Sequence, residues 1–581
     1  MAPNSLNYLL LFVLILLILS LSVGSGSFAR PIAGSDYYVD ATLGNDNNSG
    51  SIDQPWQSIA KVTGETFSPG DHIHFKRGET WTGDSLFIDD VGSAAAPIVF
   101  DAYGEGAEPH ILNAGISVSG AAYVIIRDFE VSGHGYAGIG VQQQSHHITL
   151  TRNVLNHNVA GIWMGNDVGM NNVVFDNEIY LNNGNGVAVD TVFCTPGNET
   201  IIAANRIYSN TWHGIELSGN YHIVEQNVVY ANGENPDGSD DMVGHSGIHL
   251  FSRYHENDPD LGGDYNIIRY NLLYDNRDNE PNATDGNGIQ MDMWCDDNQV
   301  YNNIAYDNDG PGVIIFGGSR NLIYNNTLFD NGRHLGWRRA RTQLMVADSD
   351  EVGAAMNKIY NNIGFSQDAA AYAAYIDAGA RARNNIFSHN LWHNATGGNL
   401  LGLGDNGSVS LTTWNAESWA HDFSGDPQFV DAVSHDFQLR FGSPAIDAAD
   451  PAYAPDDDFI TASRPQGAVP DIGAYEYQYH QVSMPVITIS ALNSTDVRLT
   501  WEHNDHCARY EFWRDASPYF SPSGDAIQTS YDASQSWDDA GVLGDAGVNH
   551  YYIARCIHYN QALTNSNRTG EFDFALVRAL N

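Results

Sequence analysis

Two residue columns recur in fixed phase along the middle of the chain, and they restrict its fold more than any single motif does. One is Asn153, Asn177, Asn205, Asn227, Asn271, Asn303, Asn326 and Asn362, in contexts such as "TRNVL", "FDNEI" and "RYNLL". The other is Gly138, Gly161, Gly186, Gly214, Gly247, Gly288 and Gly312, each followed by Ile or Val, as in "GIWM", "GIEL" and "GIHL". Each unit holds two or three stretches of period 2 and no helical period, so it cannot bury its own apolar face. The units must stack, and coils stacked at ~4.8 Å form a parallel β-helix with an internal apolar core. The Asn column reads as a structural ladder, because Asn tolerates left-handed backbone and bonds its own turn.

The same phase predicts which side chains face outward. Counting from each Gly, the first and third residues are apolar and point inward, so the second and fourth point out. The second-position column is Trp163, Ala188, Glu216, His249, Gln290 and Ile314; the fourth-position column is Gly165, Asp190, Ser218, Phe251, Asp292 and Phe316. Trp294 and Arg253 follow two residues further on. Loop lengths single out the same place. The Asn-to-Gly distance is 8 or 9 in most units but 20 from Asn227 to Gly247 and 17 from Asn271 to Gly288. Long loops on a regular solenoid usually flank its working face, so segments 231–246, 254–264 and 275–287 are expected to wall a groove over Glu216, His249 and Asp292.

Composition narrows the partners. The 581 residues carry a formal charge of −44, which repels phosphate backbones and anionic lipid, so a nucleic-acid binder is excluded as an expectation. Lys61, Lys76 and Lys358 are the only lysines, leaving a lysine-dependent mechanism few candidates. The apolar run Leu9–Val23 is shorter than the roughly 20 residues of a spanning helix and reads as a signal peptide over 1–29. No Lys or Arg precedes that run, so an uncleaved anchor is the alternative; export, and no membrane association beyond this segment, is the expectation. Cys194 and Cys295 fall three coils apart, beyond disulfide reach, and are expected as free thiols, whereas Cys507 and Cys556 are the one pair to consider. A capped solenoid has no obligatory interface, so a monomer is expected.

The segments "DYYVDATLGNDNNSG", "GDHIHFKRGETW", "APIVFDAYGEG" and "GSPAIDAAD…DIGAYEY", spread over about residues 36–477, resemble the secreted right-handed β-helix proteins of the pectate-lyase superfamily. The resemblance implies a right-handed coil over 30–481. It leaves the reaction open, since that superfamily holds lyases, hydrolases, epimerases and proteins without known activity. After residue 482 the alternating strands "PVITISALNSTDVRLTWEH", "ARYEFWRD" and "NHYYIARCI" resemble a fibronectin type III β-sandwich, giving a small second domain over 482–581.

The chemistry expected of the groove is cleavage of an extracellular polysaccharide. β-Elimination at a uronate needs a cation to neutralise the sugar carboxylate and a base for the C5 proton. Asp190, Glu216 and Asp292 are the candidate Ca²⁺ ligands, and His249 is the candidate base on its intrinsic pKa, with Tyr254 or His213 as helper; the resemblance adds Arg253 as a base. No organic cofactor is expected. Hydrolysis is the alternative, with Glu216 and either Asp190 or Asp292 as the two carboxyl groups. A third reading is a non-catalytic glycan-binding solenoid. Trp163, Phe251, Trp294 and Phe316 are candidate stacking platforms, Gln290 and Asp190 candidate polar contacts, and Arg338 a candidate anion contact within the basic island Arg333, His334, Arg338, Arg339 and Arg341.

Overall fold

The computed structural model describes residues 34–165, 167–234, 244–252, 262–279, 285–336, 341–478, 486–502, 509–517, 520–531, 535–542, 550–558 and 561–565. The leader over 1–29, Tyr254 and Cys507 lie outside these residues, as does the side chain of Cys556. Among the described residues no helix is long and apolar enough to cross a membrane.

Regular structure is almost entirely strand, wound as a right-handed parallel β-helix. One coil shows the pattern. Its strands Thr200–Ala203, Arg206–Tyr208 and Ile215–Asn220 pair in parallel with His222–Glu225, Val228–Tyr230 and Ile248–Leu250 of the next. Strands of the third kind form a 13-stranded sheet, and the other two columns form a 25-stranded set. The register matches the glycine phase: Val187 pairs with Ile215, Ile215 with Ile248, Ile248 with Ile289 and Ile289 with Val313. All five are fully buried in one continuous core, each contributing roughly 1.5–3 kcal/mol by removal from water. The glycines are required by space. A Cβ on Gly214 would lie 2.4 Å from Val229 Cγ1 and 2.7 Å from Gly247 O.

The Asn column is a hydrogen-bonded ladder. Asn177 Nδ2 donates to Asn205 Oδ1, Asn205 to Asn227 and Asn227 to Asn271, each at 3.0 Å. The left-handed conformation, however, belongs to the residue before each ladder Asn: Asp176, Ala204, Gln226 and Tyr270 have φ between 55° and 57°. That residue makes the bend, and the bend turns the Asn amide inward, where it pairs corner groups that no strand can reach. A second ladder, Asn182, Asn210, Asn232, Asn276, Asn308 and Asn331, runs five residues later and ends on Gln343.

After the last coil strand, Ala420–Ser424, the chain returns along the flank of the helix, and Phe429, Phe437, Leu439, Ala445 and Ile472 pack on Phe329, Ile363 and Phe365. Beyond it lie two antiparallel sheets. One contains Ile487–Ala491, Val497–Trp501 and Ser536–Asp539; the other contains Gln528–Tyr531, Arg509–Asp515, Tyr551–His558 and Gln561–Asn565. They share a separate core around Trp501, Tyr510 and Phe512.

Candidate functional site

The outer face of the 13-stranded sheet brings the second-position residues side by side. Trp163 pairs with Ala188, Ala188 with Glu216, Glu216 with His249 and His249 with Gln290. Asp190 stands beside Ser218 in the same sheet, one strand from Glu216, which puts the Cα atoms of Asp190 and Glu216 about 8 Å apart on the strand lattice.

A cleft of about 200 Å³ opens on this face, walled by Tyr136, Trp163, Trp212 and Phe251, with Asp190 and Glu216 in its lining. Trp163 is braced from two sides. Tyr136 meets it edge-on at 5.3 Å between ring centres, and Gly165 leaves the space its ring occupies, since a Cβ there would lie 2.5 Å from Trp163 Cη2. A second cavity of about 180 Å³, lined by Phe87, His134 and Gln142, shares Tyr136 and Trp163 as walls. The two make a groove across successive strands from Leu86–Ile88 to Ile215–Asn220, roughly 24 Å along the axis at the interstrand spacing.

Beside the cleft lies an imidazole-rich centre. The His213 and His249 rings stack at 4.3 Å, and His245 meets His213 edge-on at 5.0 Å. His249 Nε2 is 3.5 Å from Asp292 Oδ2, and neither ring nitrogen of His249 has a well-aligned hydrogen bond. Burial opposes charge on His249, but Asp292, Glu216 and Asp285 outweigh it and hold its pKa above the ordinary imidazole value. Burial, with His249 and His245 nearby, drives His213 well below that value. Burial likewise lifts Asp285 to about 6; His249 opposes the rise, and Asp292 and Asp278 add to it.

The residues immediately before the glycines support this centre. Asn185 Nδ2 donates to Glu216 Oε2, and the His213 amide donates to Asn185 Oδ1 at 3.1 Å. The Ser246 amide donates to His213 Nδ1 at 2.8 Å. Ser246 Oγ and Asn287 Nδ2 both donate to Gln290 Oε1, at 2.7 and 2.9 Å. Asn185, His213, Ser246 and Asn287 are thus a third polar column, one place ahead of Gly186, Gly214, Gly247 and Gly288. The sequence carries this column one place before each glycine, whereas the outward columns that alternation predicts lie after it. Trp212, Tyr136 and Asp285 carry no comparable pattern. The long loops bring His245 and Asp285 against His213 and His249. Among the described residues, however, none of 231–246, 254–264 or 275–287 lines the cleft, which is walled instead by Tyr136, Trp163, Trp212 and Phe251.

Other expected residues fall elsewhere. Gln290 is buried and held by Ser246 and Asn287, which makes it a support rather than an exposed contact. Phe316 packs with Ile314, Met345, Ala347 and Tyr375 in a small outer cluster away from the cleft lining. Trp294 follows the strand Ile289–Met291 with φ 60° and does not line the cleft. Arg253, Arg338 and Arg339 lie outside the described residues. In the described part of the basic island, Arg333 pairs with Asp307 at 3.0 Å and Arg341 with Asp368. Cys194 and Cys295 are buried free thiols.

The donor atoms that converge are those of His213, Glu216 and His249, all within 4.8 Å of one another, rather than those of Asp190, Glu216 and Asp292. The set does not fit Ca²⁺, which takes oxygen ligands. It also fits a nitrogen-seeking metal poorly. His213 Nδ1 accepts a backbone N–H, so the ring proton sits on Nε2 and no nitrogen lone pair is left to bind an ion.

The family model described as "Right handed beta helix region" matches residues 114–258, 191–337 and 261–416. A lacto-N-biosidase of Bifidobacterium longum subsp. longum is 32% identical over 108 residues, 18% of this chain, and the chain spans 7% of that protein's length. Among solved structures, the pectate lyase Pel9A is similar at TM-score 0.41 and 18% identity, over 77% of this chain and 97% of that one. A mannuronic acid specific family 6 lyase from human gut microbiota is similar at TM-score 0.42 and 14% identity, over 64% and 89%. The lacto-N-biosidase of Eubacterium ramulus is similar at TM-score 0.38 and 14% identity, over 67% and 68%.

Proposed function

The chain belongs to the right-handed β-helix family, and from that premise we propose that it is an exported carbohydrate-active enzyme that hydrolyses a neutral polysaccharide. One observation carries this reading: an aromatic-walled groove with two carboxyl groups, Asp190 and Glu216, in the lining of one of its clefts. Sugar rings stack on faces such as those of Trp163 and Trp212. Glycoside hydrolysis needs two such carboxyl groups, one to protonate the leaving oxygen and one to activate water or attack. The short match to a lacto-N-biosidase supports a glycosidase.

Elimination ranks second because the centre lacks its parts among the described residues. Carboxylates crowd the face, His249 is held toward its charged form, and His213 has its lone pair engaged, so neither imidazole is a ready base for a C5 proton. His249 instead supplies positive charge beside Glu216. No step is assigned to Ca²⁺.

The test is incubation with neutral and uronate-containing glycans, with and without chelator. New reducing ends without ultraviolet absorbance from unsaturated ends are expected, unaffected by chelator. Glu216→Gln and Asp190→Asn should each lower the rate by roughly 10²–10⁴-fold. Unsaturated products would replace hydrolysis with elimination.

A further inference from the structure

On another face of the solenoid, at its N-terminal end, the first strands carry a cluster that the glycan groove does not use. Asp36 in the strand Asp36–Val39 pairs in register with His72 in His72–Lys76, and His74 pairs with Asp101 in Ile98–Tyr103. Ile73 between them and Phe75 after them are fully buried, so His72 and His74 share the outer face two residues apart. The donor atoms of Asp36, His72 and His74 all lie within 4.8 Å of one another. His74 Nε2 is 3.1 Å from Asp36 Oδ1, close to the ~3.3 Å that separates two ligands on one ion with bonds of about 2.0 Å.

The outer contacts distinguish this cluster from the one in the groove. His74 Nδ1 stands 2.6 Å from Asp101 Oδ1, and Asp101 is itself held by Arg127 Nη2 at 2.7 Å. A carboxylate can only accept, so in the ion-free chain Nδ1 donates its proton to Asp101 and Nε2 donates one to Asp36. The Nε2 proton, aimed at Asp36, is the one an ion replaces, while Asp101 keeps Nδ1 protonated. This carboxylate–histidine relay is the arrangement that orients a metal-binding imidazole and raises its basicity. His213 shows the reverse polarity at the same atom.

We propose that Asp36, His72 and His74 form a binding site for a divalent transition-metal ion, with Asp101 as the positioning residue. Two imidazoles and one carboxylate select Zn²⁺, Ni²⁺, Cu²⁺ or Co²⁺ over Ca²⁺ and Mg²⁺, and leave a fourth position for water. The ion ties the first strand of the helix to the second, at the N-terminal end of the sheet. Binding replaces a proton on Nε2, so affinity rises with pH.

The experiment is titration of the untagged full chain with Co²⁺, followed by visible absorption and calorimetry, then displacement by Zn²⁺. One ion per chain is expected, bound more tightly at pH 8 than at pH 6, with a higher melting temperature when loaded. His74→Ala and the milder His72→Asn should remove the signal. Asp101→Asn should weaken binding roughly 10–100-fold with the visible spectrum retained. His249→Ala should leave it unchanged, separating this site from the groove. Failure of the wild-type chain to bind Co²⁺ or Zn²⁺, or binding that survives both His72→Asn and His74→Ala, overturns the proposal.

Discussion

Asp285 approaches His249 from a loop, and the two groups share a dependence on pH that neither would have alone. A carboxyl lifted to about 6 in the folded chain holds its proton where the unfolded chain, with a pKa near ~3.9, has released it. Its contribution to stability is therefore present at low pH and is lost as pH rises from about 4 to about 6. His249, raised above the ordinary imidazole value, acts in the same direction: its contribution is present below about 6.5 and is lost as pH climbs through the elevated pKa. Asp285→Asn removes the first effect and part of the second. Melting curves from pH 4 to 8 should show a shallower decline for the variant than for the wild type. Parallel declines would mean that Asp285 titrates normally. No spacing rule announces this residue, because a loop side chain obeys neither the period of the strand nor the phase of the glycine.

At the scale of the element, the corner matters more than the strand. Many of the strands are only three or four residues long, so each coil depends on its corners to hold register. Asn227 shows how. It donates to Ile202 O at 2.9 Å and to Asn271 Oδ1 at 3.0 Å, and it accepts from the amide and the side chain of Asn205, both at 3.0 Å. Asn227→Leu strands several buried groups at ~1–3 kcal/mol each, so a loss of at least ~3 kcal/mol in urea unfolding is expected. Glu105→Ala, at an exposed bend, should cost under ~0.5 kcal/mol. Equal effects would sink the ladder account. This ladder and the glycine column were legible in the sequence because backbone geometry imposes them once per coil. The outward pair Glu216 and His249 followed directly from that phase. Phe316 and Trp294 did not, because alternation says which face a residue takes and not what covers it. The left-handed residue was misplaced by one position for a related reason. The bend takes Arg152, Asp176, Ala204, Gln226, Tyr270 or Asn302 alike, so it leaves no single residue type to read, whereas the amide it delivers is Asn in every coil of the column.

For the molecule as a whole, the return segment after Ser424 decides which face stays open. It covers the flank built from Ile304–Tyr306, Thr327–Phe329 and Ile363–Ser366, leaving the 13-stranded sheet with its cleft uncovered by that segment. Its anchor is electrostatic. The Arg464 and Glu476 side chains are fully buried 3.2 Å apart, and the guanidinium also donates to Asp471 O and Gly473 O, each at 2.8 Å. Removing one member of such a pair leaves an uncompensated charge, so Arg464→Met should cost about 3–5 kcal/mol, with Glu476→Gln in the same chain restoring part of the loss. The damage should also be local. Gly473 and Ala474 donate to Asn361 O at 2.8 Å and Thr327 Oγ1 at 3.0 Å, and these amides should lose protection in hydrogen exchange while those of Ile215–Asn220 keep theirs. A solenoid whose coils touch only their neighbours can shed a cover without losing its winding. Loss of protection along every coil would instead make the return segment part of the winding itself, and the open groove would then depend on an anchor on the opposite flank.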